Sequence, residues 1–208
     1  MIKAVIFDMD GVLIEAKDWH YEALNKALRL FGYEISRYDH LTTYDGLPTK
    51  KKLEMLSVQY GLPVSLHGFI EEMKQAYTMD LVYTLCKPRF IHEYALAHLK
   101  ANGYKLAVAS NSIRSTVEVM MNRARLDKYL DFYLSNQDVE VGKPNPQIYV
   151  KAVNRFNLPP AECLVIEDHE NGIKAATAAG THVMVVGDVN EVTLENIMKR
   201  IHQIQEQP

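Results

Sequence analysis

A chain of 208 residues, 48% hydrophobic and 24% charged, is long enough to bury a sizeable core and lacks the composition of a disordered or disulfide-stapled protein. Its formal net charge of −3, with no basic stripe interleaved with aromatics, gives no electrostatic reason to expect a nucleic-acid partner. The first residues have no signal-peptide layout and no apolar stretch approaches the ~18 residues of a membrane span, so no membrane partner is expected and the location is expected to be cytoplasmic.

In chain order, the first predicted strand is Ala4 to Phe7, a short apolar run bounded by polar residues. Three helical patterns follow, "WHYEALNKALRLFG", "PTKKKLEMLSVQYG" and "HGFIEEMKQAYTM", with no convincing strand between them. They read as a helical insertion over residues 15–85, set into a core of residues 1–14 and 86–208; Pro88 in "TLCKPR" marks the return. Beyond it come a helix from Ile91 to Ala101, a strand from Leu106 to Ala109, a helix from Thr116 to Ala124 and a weaker strand from Phe132 to Leu134. "NPQIYVKAVNRF" predicts a helix with Asn145 as its cap and Pro146 in its first position. A strand from Leu164 to Ile166, a small-residue helix "NGIKAATAAG" ended by Gly180, and a strand from Val183 to Val186 complete the alternation. The amphipathic stretch from Glu191 to Gln205 is explained by packing on the sheet as well as by a dimer interface, and a monomer is expected. Alternating strands and helices predict an α/β fold with a doubly wound parallel sheet, because parallel neighbours need a crossover helix. Cys86 and Cys163 are far apart, without metal-ligand spacing, and are expected to be reduced core residues.

In an open α/β sheet, ligands bind beyond the carboxyl ends of the strands. Asp8 and Asp10 follow the first strand, Ser110 and Asn111 the second core strand, and Glu167 and Asp168 the strand at Leu164; Lys143 lies in the loop "VGKPNP". Four carboxylates gathered at one edge repel one another unless a cation neutralises them, and an all-oxygen donor set favours Mg²⁺ over zinc. Two acids two positions apart allow a division of labour, one attacking phosphorus and the other protonating the leaving oxygen and later activating water. Gly11 suits a tight turn at the strand end, and Ser110, Asn111 and Lys143 are candidates to bind the transferring phosphoryl group.

These residues resemble the four motifs of the haloacid dehalogenase-like superfamily, in its phosphotransferase branch with a small helical cap: "DMDGV" at Asp8, "VASNS" at Ser110, "GKPNP" at Lys143 and "IEDHENG" at Glu167 and Asp168. The resemblance runs from the first strand to about Val186 and is poorest in the cap. It implies Asp8 as nucleophile and metal ligand, Asp10 as general acid/base with its backbone carbonyl on the metal, and Asp168 as a direct ligand supported by Glu167. The implied function is an Mg²⁺-dependent phosphatase of a small phosphorylated metabolite, a sugar phosphate, working through an aspartyl-phosphate. No phosphate-cradling P-loop pattern points to a nucleotide kinase. Departures surround the site: Val12 stands where family members often have threonine, Glu15 and Ala16 where they have Asp-Ser or Asp-Thr, and His169 where serine is usual.

Several residues admit two readings. His20 resembles a histidine near the acid/base of β-phosphoglucomutase-like members, or is an ordinary helix histidine. His169 is a contact of the acidic pair or a surface residue. Trp19 lines the inner wall of the cap or packs within it. If Thr49 caps its helix, Lys50, Lys51 and Lys52 occupy the first turn, where cations oppose the macrodipole; they either meet an anionic part of the substrate or form a solvated cluster. The mutase alternative needs a second phosphate grip, and the corresponding segment here, "GLPTK", offers Lys50 and no arginine. A binding module without catalysis would require damage to the acids, and none is visible.

Overall fold

The computed structural model describes residues 1–44 and 46–206. The chain divides into two compact units, Met1–Glu15 with Cys86–Pro208, and Ala16–Leu85. In the first unit the described residues form one parallel sheet of five strands, β1 (Ala4–Phe7), β2 (Lys105–Ala109), β3 (Phe132–Leu134), β4 (Cys163–Glu167) and β5 (His182–Val185), in the order β3-β2-β1-β4-β5. β1 is central and buried at every residue, which is why its sequence is an unbroken apolar run and not an alternating one. The predicted strands are all present, and β2, β4 and β5 each begin one residue earlier than their apolar runs suggest.

The second unit is helical among its described residues. It contains α1 (Lys17–Arg29), a short α2 (Arg37–Asp39) running into a π-turn at His40–Tyr44, α3 (Thr49–Tyr60), and α4 (His67–Leu85), with a 3₁₀ turn at Val64–Leu66 before α4. Leu24, Leu28, Leu53, Leu56 and Ile70 from α1, α3 and α4 share one apolar cluster. The buried Asn25 fixes the loop after α1 by imitating a strand neighbour: its Nδ2 donates to the Ile35 carbonyl at 2.9 Å and its Oδ1 accepts the Ile35 N–H at 2.8 Å. Thr49 is not the cap of α3 but its first residue, with Pro48 in the cap position. Proline suits that boundary because it has no N–H to leave unpaired.

The first unit adds α5 (Phe90–Ala101), α6 (Arg114–Arg123), α7 (Gln147–Phe156), α8 (Glu170–Ala178) and α9 (Leu194–Gln205). Ile6, Ala107 and Val165 of the sheet pack with Ile148, Ala152 and Phe156 of α7 and Ala175 and Ala176 of α8 in one cluster. The intervening strand residues Val5, Phe7, Leu106, Val108, Leu164 and Ile166 point to the other face and are equally buried, while α5 packs on β2 and against α9. The sheet is therefore covered on both faces, as the doubly wound prediction requires. Pro146, expected inside α7, stands in its cap position, and the Asn145 Oδ1 accepts the Gln147 N–H at 3.0 Å. The last helix begins at Leu194, not Glu191, because the Thr193 side chain caps it by accepting the Asn196 N–H at 3.1 Å. No helix of the described residues is long and apolar enough to cross a membrane. Both cysteines are free and buried, and burial pushes each thiol up to about 11, so neither is a thiolate near neutral pH.

His92 on α5 is 1% exposed, and its Nε2 donates to the Val189 carbonyl at 2.8 Å. Burial lowers its pKa, and the carbonyl bond opposes that only in part. In the folded chain the ring therefore stays neutral at a pH where the unfolded chain, near the ordinary value of about 6.5, has already taken up a proton. Stability contributed by His92 is present above about pH 6.5 and falls as the pH drops through that value. Urea unfolding between pH 7.5 and 5.5 is expected to show a shallower loss of stability in His92→Gln than in the wild type; equal slopes would contradict this assignment.

Candidate active site

Phe7 is in register with Val108 on one side and Ile166 on the other, so the chain leaves the sheet at one level on three neighbouring strands. Asp8 follows β1, Ser110 follows β2, and Glu167 ends β4 with Asp168 next to it. The backbone holds each exit: the Asp8 N–H donates to the Ile166 carbonyl and the Ser110 N–H to the Leu134 carbonyl, both at 3.0 Å. After Asp8 the chain doubles back. The Met9 carbonyl accepts the N–H groups of Leu13 and Ile14, and the Gly11 N–H returns to the Ile14 carbonyl at 2.7 Å. Gly11 has φ 89°, a conformation that a side chain disfavours, which accounts for glycine directly behind the second aspartate.

Lys143 is the electrostatic centre. Its ammonium, 5% exposed, donates to Asp8 Oδ1 at 2.5 Å, Glu167 Oε1 at 2.7 Å and the Ala109 carbonyl at 2.9 Å, so each of its three N–H bonds meets an acceptor. Burial alone would lower its pKa; the paired carboxylates of Asp8 and Glu167 outweigh burial and raise it, keeping the lysine charged. Burial pushes the Asp8 carboxyl well above the ordinary range, Lys143 opposes this, and Glu167, Asp10 and Asp168 add to it. One ammonium does not balance four acids.

Asp8, Glu167 and Asp168 each offer a carboxylate oxygen, and these three atoms lie within 4.8 Å of one another. An all-oxygen set of this size fits a hard divalent cation such as Mg²⁺, which would supply the missing positive charge. The donors differ in freedom. Glu167 is 1% exposed and held from several sides: Tyr149 Oη donates to Oε1 at 2.5 Å, and the N–H groups of Asp168 and His169, at the start of α8, approach Oε2 at 3.2 and 3.5 Å. A carboxylate in that place is also favoured by the positive end of the helix. Gly172, in the first turn of α8, makes room for it, since a Cβ there would overlap the Glu167 carboxylate.

The predicted residues Asp8, Asp10, Ser110, Asn111, Lys143, Glu167 and Asp168 thus gather at one sheet edge, with different environments. Asn111 grips the Lys143 loop: its Oδ1 accepts the Lys143 N–H at 3.0 Å and its Nδ2 donates to the Lys143 carbonyl at 3.4 Å. Gly142 permits this approach, because a Cβ there would come within 2.7 Å of Asn111 Oδ1. The Ser110 Oγ accepts the Ser112 N–H at 3.0 Å. His169 caps α8, its Nδ1 accepting the Asn171 N–H at 3.2 Å. His20 and Lys50 belong to the second unit. There His20 lies on α1 with Nδ1 3.3 Å from Lys74 Nζ of α4, and Lys50 is exposed in the first turn of α3; the neighbouring Lys51 pairs with Glu54 at 3.5 Å and Lys52 is buried.

Sequence reasoning did not single out Tyr149, Ser112 or Gly172. Tyr149 carries a hydroxyl on the buried face of α7, where an aliphatic residue would serve for packing alone, and that was the available signal. Ser112 and Gly172 lie inside the quoted motifs and gave none beyond their position.

The family described as haloacid dehalogenase-like hydrolase matches residues 5–186. A phosphorylated carbohydrates phosphatase of Thermotoga maritima is 30% identical over 179 residues, covering 86% of this chain and 82% of that protein. Among solved structures, CbbY from Rhodobacter sphaeroides in complex with phosphate aligns with a TM-score of 0.78 at 26% identity, over 89% of this chain and 86% of that one. A β-phosphoglucomutase from Clostridium difficile aligns with a TM-score of 0.83 over 98% of both chains; at 24% identity this is a likeness of fold.

Proposed function

The chain belongs to the haloacid dehalogenase-like hydrolase family, and on that premise we propose that it is an Mg²⁺-dependent phosphatase hydrolysing a sugar phosphate through an aspartyl-phosphate. The observation that carries this reading is Asp8 at the end of β1, 2.5 Å from the buried Lys143 ammonium and beside the oxygens of Glu167 and Asp168. The similarity to a phosphorylated carbohydrates phosphatase supports the substrate class.

Asp8 and Asp168 would hold Mg²⁺ directly, with the backbone carbonyl of Asp10, and Glu167 would support them. Bound there, Mg²⁺ offsets the carboxylates and the charge on the phosphoryl oxygens. Asp8 attacks phosphorus, the bond from phosphorus to the ester oxygen breaks, and Asp10 gives that oxygen its proton. Asp10, now a carboxylate, then takes a proton from water as the water attacks phosphorus, releasing inorganic phosphate and restoring Asp8. Ser110 and Lys143 bind the phosphoryl group, and Lys143 offsets charge that spreads over its oxygens in the loose transition state. Asn111 contributes by fixing the loop that carries Lys143. Residues 15–85 are the cap domain in this reading, and two buried thiols fit a reducing, cytoplasmic setting.

The test is release of inorganic phosphate from a panel of sugar phosphates, nucleotides and other phosphomonoesters, with Mg²⁺ and with chelator. Sugar phosphates are expected to lead the panel, and chelator is expected to stop turnover until Mg²⁺ is restored. A folded, Mg²⁺-replete protein that releases phosphate from nothing would sink the hydrolysis reading. The fold likeness to a β-phosphoglucomutase keeps one rival open, with Lys50 as the second phosphate grip. Isomerisation of a sugar phosphate that needs a bisphosphate activator would decide for it.

A further inference from the structure

We infer that Ser112 is a positioning residue that holds the Asp10 carboxylate for proton transfer, an inference that rests on the acid/base reading of Asp10. The Ser112 Oγ donates to Asp10 Oδ2 at 3.1 Å, across 102 positions of sequence and between the loops that follow β2 and β1. A carboxylate can only accept, so the hydroxyl is the donor.

Ser112 is built to present that hydroxyl from a fixed place. Its N–H donates to Ser110 Oγ at 3.0 Å, its carbonyl accepts the Asn136 N–H at 3.0 Å, and the Ser110 N–H is itself tied to the Leu134 carbonyl of β3. Both backbone polar groups of Ser112 are therefore anchored to the sheet edge, and its side chain has one torsion left to set. Asp10 sits differently, in the tight turn of residues 9–14. The side chains that follow it, Val12, Leu13, Ile14, Glu15 and Ala16, include no hydroxyl or amide that could steady it. The Ser112 donor comes from the loop after β2 that also carries Ser110.

The arrangement has a chemical consequence. A bond to Oδ2 orients the carboxyl plane and leaves Oδ1 for the proton exchanged with the leaving oxygen. The same backbone segment carries Ser110, so the acid and the phosphate grip are registered to each other. General acid catalysis contributes about 10²- to 10⁴-fold, and its yield falls steeply with small misplacements. A misplaced acid matters only where the departing group needs a proton. An alkyl alkoxide needs one; an acidic phenolate leaves without it.

The experiment measures kcat/KM for Ser112→Ala, Ser112→Thr and Asp10→Asn on two esters, the best alkyl sugar phosphate of the panel and p-nitrophenyl phosphate. This parameter ends with the departure of the first leaving group and so excludes hydrolysis of the aspartyl-phosphate. Ser112→Ala is expected to lose about 10- to 100-fold on the alkyl ester and about threefold or less on the aryl ester. Ser112→Thr, which keeps the hydroxyl, is expected to restore the alkyl value to within several-fold. Asp10→Asn is expected to show the same preference more strongly. If Asp10→Asn separates the two esters while Ser112→Ala lowers both equally, or neither, the positioning role is overturned and the acid/base reading stands. If Asp10→Asn shows no separation, or the wild type hydrolyses neither ester, the underlying reading falls and takes the inference with it.

Discussion

Asp8→Asn is expected to lower phosphate release by about 10⁴-fold or more, the scale on which loss of a covalent nucleophile reduces turnover, while the folded chain keeps its stability. Asparagine has the size and shape of aspartate but no oxygen able to form the acyl phosphate. Lys143 keeps its bonds to Glu167 and the Ala109 carbonyl in the variant, and the new amide oxygen remains an acceptor for it. The substitution also removes one of four carboxylates crowded around a single ammonium, so in metal-free buffer it relieves repulsion. Phosphate release and urea unfolding in chelator read the two halves separately. Residual turnover above about one-hundredth of wild type would remove Asp8 from the nucleophile's role. A stability loss greater than about 1 kcal/mol would show that its charge is structural.

Gly172→Ala is expected to destabilise the protein by about 3 to 5 kcal/mol, the range for breaking a buried ion pair from one side. The added methyl would occupy the space of the Glu167 carboxylate. A glutamate free to swing would yield cheaply. This one is 1% exposed and joined to Lys143, Tyr149 and the N–H groups of Asp168 and His169 just ahead of α8, so moving it takes one of three acceptors from a buried ammonium and the acceptor from a buried phenol together. The expected result is a lower urea midpoint with an unchanged denaturant slope, accompanied by weaker Mg²⁺ binding in calorimetry. A loss of less than about 1 kcal/mol would mean that Glu167 has another resting place.

The sequence made the sheet legible because β1, β2 and β4 lie inside it, where both faces are covered and the apolar run is continuous. Its limits lie at the boundaries. Lys105 and His182 each add a residue to a strand because the backbone ladder continues whatever the side chain, and apolar pattern alone does not register that. Asn145–Pro146 and Pro48–Thr49 were each displaced by one position for a related reason, since proline fits either the cap or the first turn.

The candidate reacting residues Asp8 and Asp10 are legible by position, directly after an apolar run. Their supports are not. Tyr149 on α7 reads as core by its helical spacing, and only the fold brings its hydroxyl to Glu167. Asn111 reads as a candidate phosphate ligand, and only the fold shows the loop 32 residues later held on its amide. Ser112 and Asp10 meet across two loops whose shapes are set by backbone bonds, which no periodicity reports.

The central place of β1 also has a consequence in time. Its register partners in β2 and β4 lie about 100 and about 160 residues downstream. With synthesis at about 5 to 20 residues per second, the strand waits roughly 5 to 20 s for its first neighbour and roughly 8 to 30 s for its second. In that interval Ala-Val-Ile-Phe is an uncovered apolar strand with both edges open, a target for chaperones and for misplaced pairing. Asp8 and Asp10 are made about 100 residues ahead of Ser110, and the last of their sheet neighbours arrive only with β4. The carboxylate cluster closes in one late step, so a nascent chain that stalls before residue 163 has Asp8 without Glu167 and Asp168 beside it.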